Sequence, residues 1–127
     1  ELALKLMETC YVVAERFSSA DFLHGPLAMV ERHFPVILFA PPGEMLAGVK
    51  NLIERLRELH ADTLVITSDI ESAGLCTRSI VMPREIDEFL APIPYIVPGQ
   101  LFAALLAEAK GLDPDSPRSL SKVTRTL

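Results

Sequence analysis

The sequence predicts an α/β domain built on a parallel sheet. Three runs of strand length with apolar centres, PVILFA (Pro35–Ala40), DTLVITSD (Asp62–Asp69) and SIVMP (Ser79–Pro83), are separated by stretches of other character. They lack the strict apolar/polar alternation of a one-sided sheet, as buried parallel strands do. Segments of helical period surround them, the layout of an α/β rather than an all-helical chain. At 127 residues, half of them apolar, the chain has the size and composition of one domain with a substantial core.

The elements follow in order. From Glu1 to about Arg16 apolar residues wrap widely around a helix and leave Glu1, Lys5 and Glu8 on one polar stripe. Ser18, Ser19 and Asp21 offer N-caps for a second helix that carries Leu27, Met29 and Val30 beyond a Gly25-Pro26 break. PVILFA and the PPG loop lead to the clearest helix, Glu44 to His60. There Met45, Leu46, Val49, Leu52, Ile53, Leu56 and Leu59 fall on one face, and Lys50, Glu54, Arg55, Arg57 and Glu58 on the other. ESAGLCTR between the second and third strands reads as loop, and Ile86 to Leu90 as a short helical turn. A long helix is expected over Val97 to Lys110, with Pro98 near its start and Gly111 at C′. From Asp113 the periodicity ends, and DPDSPRSLSKVTRTL by itself would be a solvated tail.

Composition excludes several classes of function. Seventeen acidic against twelve basic residues, a net charge of −5, argue against a nucleic-acid partner, because phosphate backbones require clustered Lys and Arg. No apolar run reaches the length of a membrane span, and the first turns lack the charge layout of a signal peptide, so a cytoplasmic chain is expected. Cys10 and Cys76 have no CxxC spacing and read as free structural thiols. HxxxH, HExxH and DxDxDG spacings are missing, so no metal is expected, and PPGEM is neither GxGxxG nor GxxxxGKS.

Three features could carry chemistry. Glu1, Lys5 and Glu8 stand at i, i+4 and i+7, so Lys5 lies between two carboxylates; most such rows are solvated ion pairs worth tenths of a kcal/mol. His24 precedes Gly-Pro, where Gly25 permits a close approach and Pro26 sets the chain direction, and an imidazole can transfer a proton either way. His33 and His60 sit at element ends and receive no role. Lys122 in the tail is ordinarily just charge, yet a desolvated lysine can lose its proton and attack a carbonyl to form an imine.

ELALKLMET, SSADFLHGPLAM, IPYIVPGQLFAALLAEAKG with its D-x-D-x-P, and the terminal L-x-K together resemble the sugar isomerase (SIS) domain family. The likeness is to the second SIS domain of glucosamine-6-phosphate synthase and to stand-alone SIS-type glucosamine-6-phosphate deaminases, and it runs from Glu1 to about Thr126. It implies a flavodoxin-like three-layer sandwich with a parallel sheet, residues 1–112 forming a second SIS domain and residues 113–127 a tail that contributes to the active site. It further implies isomerisation of a sugar phosphate through an enolamine or enediol, without a cofactor. The site would form between two SIS domains and across a homodimer, with a first SIS domain upstream. Glu8 matches the glutamate that moves the proton between C1 and C2, Lys5 the lysine beside it, and Glu1 the glutamate that opens the motif. His24 matches the ring-opening histidine reaching into a neighbouring subunit, and Lys122 the tail lysine that condenses with the open-chain ketose. Glu1 and Ser121 are the implied substrate contacts.

Three departures qualify the resemblance. The tail reads K-V-T-R-T-L rather than the synthase K-S-V-T-V-E, and so is more similar to stand-alone deaminase-like members. The S-x-S-G-x-T phosphate loop of the family's first SIS domain has no counterpart, and the strand that precedes the Glu1 helix is missing. The expectation is therefore an N-terminally incomplete SIS domain, the carboxy-terminal half of a phosphosugar isomerase or deaminase acting on glucosamine-6-phosphate or fructose-6-phosphate, and poorly active by itself. The alternatives are the isomerase domain of a glutamine-dependent transaminase and a non-catalytic sugar-phosphate-binding module.

Overall fold

The computed structural model of the chain describes residues 1–83 and 86–118. It divides into two units, one of Glu1–Arg16 with the segment from Ile96 onward, the other of Phe17–Tyr95.

The Phe17–Tyr95 unit holds the sheet. Strands β1 (Pro35–Ala40), β2 (Asp62–Thr67) and β3 (Arg78–Val81) pair in parallel in the order β1-β2-β3, with Pro35 opposite Asp62 and Leu64 opposite Arg78. Alternation along each strand sends side chains to both faces. Leu38, Ala40 and Val65 pack on one face with Val49, Leu52, Ile53 and Leu56 of helix α3 (Leu46–Glu58). Ile66 packs on the other with Ala91 and Tyr95, flanked by Ile37, Phe39 and Ile80. Covering on both sides is the reason β1 and the Leu64–Ile66 centre of β2 are continuously apolar. Thr67, fully buried at the end of β2, satisfies its hydroxyl by donating to the Ala40 carbonyl at 2.7 Å.

The segment read as loop after β2 contains helix α4 (Ile70–Leu75). Asp69 caps it, accepting from the Ser72 amide at 2.8 Å and the Ser72 hydroxyl at 2.7 Å. Six residues with a glycine at position 74 are too few to show a helical period, so the cap was the only local signal. Desolvation pushes the Asp69 carboxyl up, but the Ser72 hydroxyl and amide and the Lys50 ammonium, 3.1 Å away, outweigh it and hold it below its ordinary value. The cap therefore contributes above the ordinary aspartate range and is lost as the pH falls through the depressed value.

α3 ends where Leu59 gives way to His60, which takes the left-handed conformation (φ 56°) while the Ala61 amide closes on the Leu56 carbonyl at 3.0 Å. His33, also left-handed (φ 66°), donates its amide to the His60 carbonyl at 2.8 Å. Both histidines are turn residues at element ends. After β3, one turn closes on Asp87, where a short helical turn is expected, with the Leu90 and Ala91 amides on the Asp87 carbonyl at 3.1 and 2.9 Å; Arg84 and Glu85 lie outside the described residues.

Helix α5 runs Pro92–Ala109, starting five residues before the expected Val97. Pro92 and Pro94 occupy its first turn, where no amide proton is needed, and the buried Ala91 and Tyr95 hold that turn in the core; Pro98 is consequently inside the helix. Its end is as expected: Gly111 (φ 70°) is at C′, with the Gly111 amide on Glu108 at 2.8 Å and the Leu112 amide on Ala107 at 2.9 Å. No helix among the described residues is long and apolar enough to cross a membrane.

Candidate active site

Helix α1 (Leu2–Cys10) carries the polar row. Glu1 is its N-cap, and the Lys5 amide donates to the Glu1 carbonyl at 3.0 Å. Leu2, Leu6, Thr9 and Cys10 are the buried face, and the Cys10 thiol donates to the Ala103 carbonyl of α5 at 3.1 Å. That contact and burial leave Cys10 a structural thiol.

On the accessible face the Lys5 ammonium donates to Glu8 Oε2 at 3.0 Å, the two side chains being 40% and 28% exposed. The hydrogen bond to Glu8 and the Glu8 charge raise the Lys5 pKa above its ordinary value against a small desolvation, with Glu1 adding in the same direction. The ammonium is thus complete at every pH below the ordinary lysine range and is lost only as the pH rises through the raised value. Glu1 Oε1 accepts from Gln100 Nε2 at 3.5 Å. A carboxylate held beside an ammonium, yet open on one side, can take a proton from carbon and return it.

α1 does not continue to Arg16. The Lys110 ammonium donates to the Cys10 carbonyl at 2.6 Å, and Tyr11 turns left-handed (φ 54°, ψ 40°), which costs a bulky residue on the order of 1 kcal/mol. The turn is closed locally by the Val12 amide on the Leu6 carbonyl at 3.2 Å, and the Lys110 contact comes from a hundred residues away, where periodicity could not reveal it.

The expected solvated tail is organised as far as it is described. The Asp115 amide donates to Asp113 Oδ1 at 2.9 Å, an Asx turn next to Pro114, and the Arg118 amide donates to the Tyr11 hydroxyl at 2.8 Å. The Arg118 guanidinium lies 4.6 Å from the centre of the Tyr11 ring. Ser121 and Lys122 lie outside the described residues.

His24 belongs to the Phe17–Tyr95 unit. Helix α2 (Ser19–Leu23) is capped by Ser18, whose hydroxyl accepts from the Asp21 amide at 3.1 Å, and it ends at His24. Gly25 breaks the helix, and a 3-10 turn follows over Pro26–Met29. The imidazole is exposed, and a Cβ built on Gly25 meets nothing within 4 Å. Gly25→Val is therefore expected to leave the thermal midpoint nearly unchanged. If a ligand or second chain approaches this turn, it should lower turnover about tenfold or more. Parallel losses of stability and turnover would remove that role for Gly25.

The structure thus brings Glu1, Lys5 and Glu8 together on α1. Sequence reasoning missed Gln100, Tyr11, Lys110 and Arg118, whose partners are distant in the chain.

The family model for the SIS domain matches residues 1–107. The chain belongs to the SIS domain family. A glutamine–fructose-6-phosphate aminotransferase (isomerizing) of Thermococcus kodakarensis is 40% identical over 122 residues, and that of Escherichia coli 39% over 123; each alignment covers 96% of this chain and 20% of the relative. The chain thus spans about a fifth of the length of these curated relatives. Among solved structures, the C-terminal domain of glucosamine-fructose-6-phosphate aminotransferase from Francisella tularensis superposes with a TM-score of 0.79 at 29% identity, covering 91% of this chain and 33% of that one. A phosphosugar isomerase structure from Silicibacter pomeroyi, 30% identical, superposes at 0.62 over 90% of this chain and 34% of its own. The parallel three-stranded sheet with its helices is accordingly the SIS α/β fold.

Proposed function

We propose that this SIS domain is the carboxy-terminal half of a phosphosugar isomerase that interconverts a ketose and an aldose (or aldosamine) 6-phosphate through an enediol or enolamine. The observation that carries the reading is the Lys5–Glu8 pair, 3.0 Å apart on the accessible face of α1. Isomerisation moves one proton between adjacent carbons, so one carboxylate on one side of the substrate serves both halves, and the Lys5 ammonium at 3.0 Å orients Glu8. His24 assists ring opening from a neighbouring subunit. Lys122 condenses with the open-chain ketose, and the imine gives the electrons a cationic sink when the C1 proton leaves. Glu1 and Ser121 contact the substrate.

A first SIS domain and a second protomer complete the site. Helix α5 supports this: it carries no charge from Pro92 to Ala107, and Val97, Leu101 and Leu105 stand more than half exposed at four-residue intervals. Such a face is covered in a finished assembly.

The names of the relatives favour the isomerase domain of a glutamine–fructose-6-phosphate aminotransferase. The K-V-T-R-T-L tail favours a deaminase acting on glucosamine-6-phosphate. The full-length protein decides between them when given glucosamine-6-phosphate in D2O without glutamine. Ammonia release identifies the deaminase; deuterium incorporation or isomerisation of hexose phosphates without ammonia identifies the transaminase type. Binding with no exchange of any carbon-bound hydrogen overturns both and leaves a sugar-phosphate-binding module.

A further inference from the structure

Helix α1 bears the Lys5–Glu8 pair and has little of its own to hold it in place. It is nine residues long, about 13 Å, and so shorter than a helix that persists alone in water. Its last turn, Met7–Cys10, contains Glu8 and no basic residue. Yet a helix C-terminus favours a cation, and its final carbonyls find no partner within the helix. The Tyr11 and Val12 amides turn back onto the Leu6 carbonyl, the second at 3.2 Å, and so serve the preceding turn.

The cation comes from the end of α5. Lys110, the first residue after that helix, donates its ammonium to the Cys10 carbonyl at 2.6 Å, short for an N–H···O bond. Two further contacts tie α1 to α5: the Cys10 thiol on the Ala103 carbonyl at 3.1 Å, and Gln100 Nε2 on Glu1 Oε1 at 3.5 Å. Of the three, only that of Lys110 brings a cation, and it acts two residues from Glu8, within the same turn.

A carboxylate that moves a proton between two carbons must stand within hydrogen-bond reach of both, so a shift of about 1 Å in the turn that carries it slows the chemistry. Lys5 orients the Glu8 side chain from 3.0 Å, but it is on the same helix and moves with it. A group outside α1 has to set where the helix end stands. We infer that Lys110 is a positioning residue for Glu8: it caps α1 from the end of α5 and fixes the turn from which the carboxylate reaches the sugar. The inference rests on the role proposed above for Glu8. A lysine that served only to end α5 would act on stability and leave turnover of the folded protein alone.

That contrast supplies the test. In the full-length protein, Lys110→Met, Lys110→Arg, Glu8→Gln and the Lys110→Met/Glu8→Gln double variant are compared by thermal midpoint and by hydrogen exchange of the α1 amides. Their kcat and KM for hexose-phosphate isomerisation are measured well below the midpoint. Lys110→Met keeps the aliphatic stem and loses the charge and the donors. It should speed exchange along α1 about fivefold or more and lower kcat about tenfold or more, with KM within about twofold. Lys110→Arg, which keeps a charged donor, should recover most of both. In the double variant, removing Lys110 should add less than about twofold to the loss from Glu8→Gln, because it acts through that carboxylate. Wild-type kcat in Lys110→Met would overturn the inference, as would a Lys110→Arg no better than Lys110→Met. A loss that multiplies with that of Glu8→Gln, or one expressed in KM alone, would give Lys110 an action independent of Glu8 and overturn it too. Full turnover of Glu8→Gln would instead strike the functional reading and the inference with it, and the exchange rates would then show separately whether Lys110 holds α1.

Discussion

Glu8→Gln is expected to lower isomerisation by roughly a thousandfold, within the range a positioned general base supplies, while the sugar phosphate still binds. The amide keeps the shape of the side chain and can still meet Lys5 at the 3.0 Å position. It cannot accept a proton from carbon. Lys5 keeps its charge at any pH below the lysine range, so the variant retains the local positive charge that faces an anionic substrate. The measurement is deuterium incorporation from D2O into bound substrate by the full-length protein, alongside binding by calorimetry. Exchange at the wild-type rate would show that another group moves the proton. Loss of binding together with exchange would make Glu8 a substrate contact rather than the base. Because the exposed pair contributes little to folding, the thermal midpoint should move by less than about 2 °C, which separates a chemical loss from a structural one.

The largest effect on stability is expected at the opposite kind of position. Leu56 has no exposed surface and lies in the cluster that joins α3 to the sheet, with Leu52, Ile53, Leu38 and Val65. Leu56→Ala removes three carbons from a site closed by strand residues that pair along the length of β1 and β2, so the surroundings relax only in part. A loss of about 3 kcal/mol follows, the middle of the range for buried leucines. Met45→Ala, at a side chain 61% exposed one residue before α3, should cost less than about 0.5 kcal/mol. Denaturant midpoints at constant slope check both. A cost below about 1 kcal/mol for Leu56→Ala would mean that this layer of the sandwich repacks freely.

Much of the fold was legible because burial imprints itself on local pattern. PVILFA predicted β1 residue for residue, since a strand covered on both faces has no polar position to blur its ends. The face of α3 carrying Val49, Leu52, Ile53 and Leu56 was likewise readable, as was the glycine that ends α5. The short helix after β2 was not. α4 left only an Asp69–Ser72 cap, which resembles any Asx turn in sequence. Prolines misled in one direction: they mark helix starts, but three lie within α5, and only the buried Ala91 and Tyr95 reveal that the helix begins with the first of them.

The candidate site divides in the same way. The Glu1, Lys5 and Glu8 row needs only the 3.6-residue turn of one helix to share a face, so spacing alone determined it, and the motif around it determined the family. Where α1 stops, that Tyr11 bends left-handed, and that the tail returns to it at Arg118 were decided by tertiary structure. The hydrogen bonds of Lys110 to Cys10 and of Arg118 to Tyr11 join groups about a hundred residues apart, and no local period encodes such a meeting.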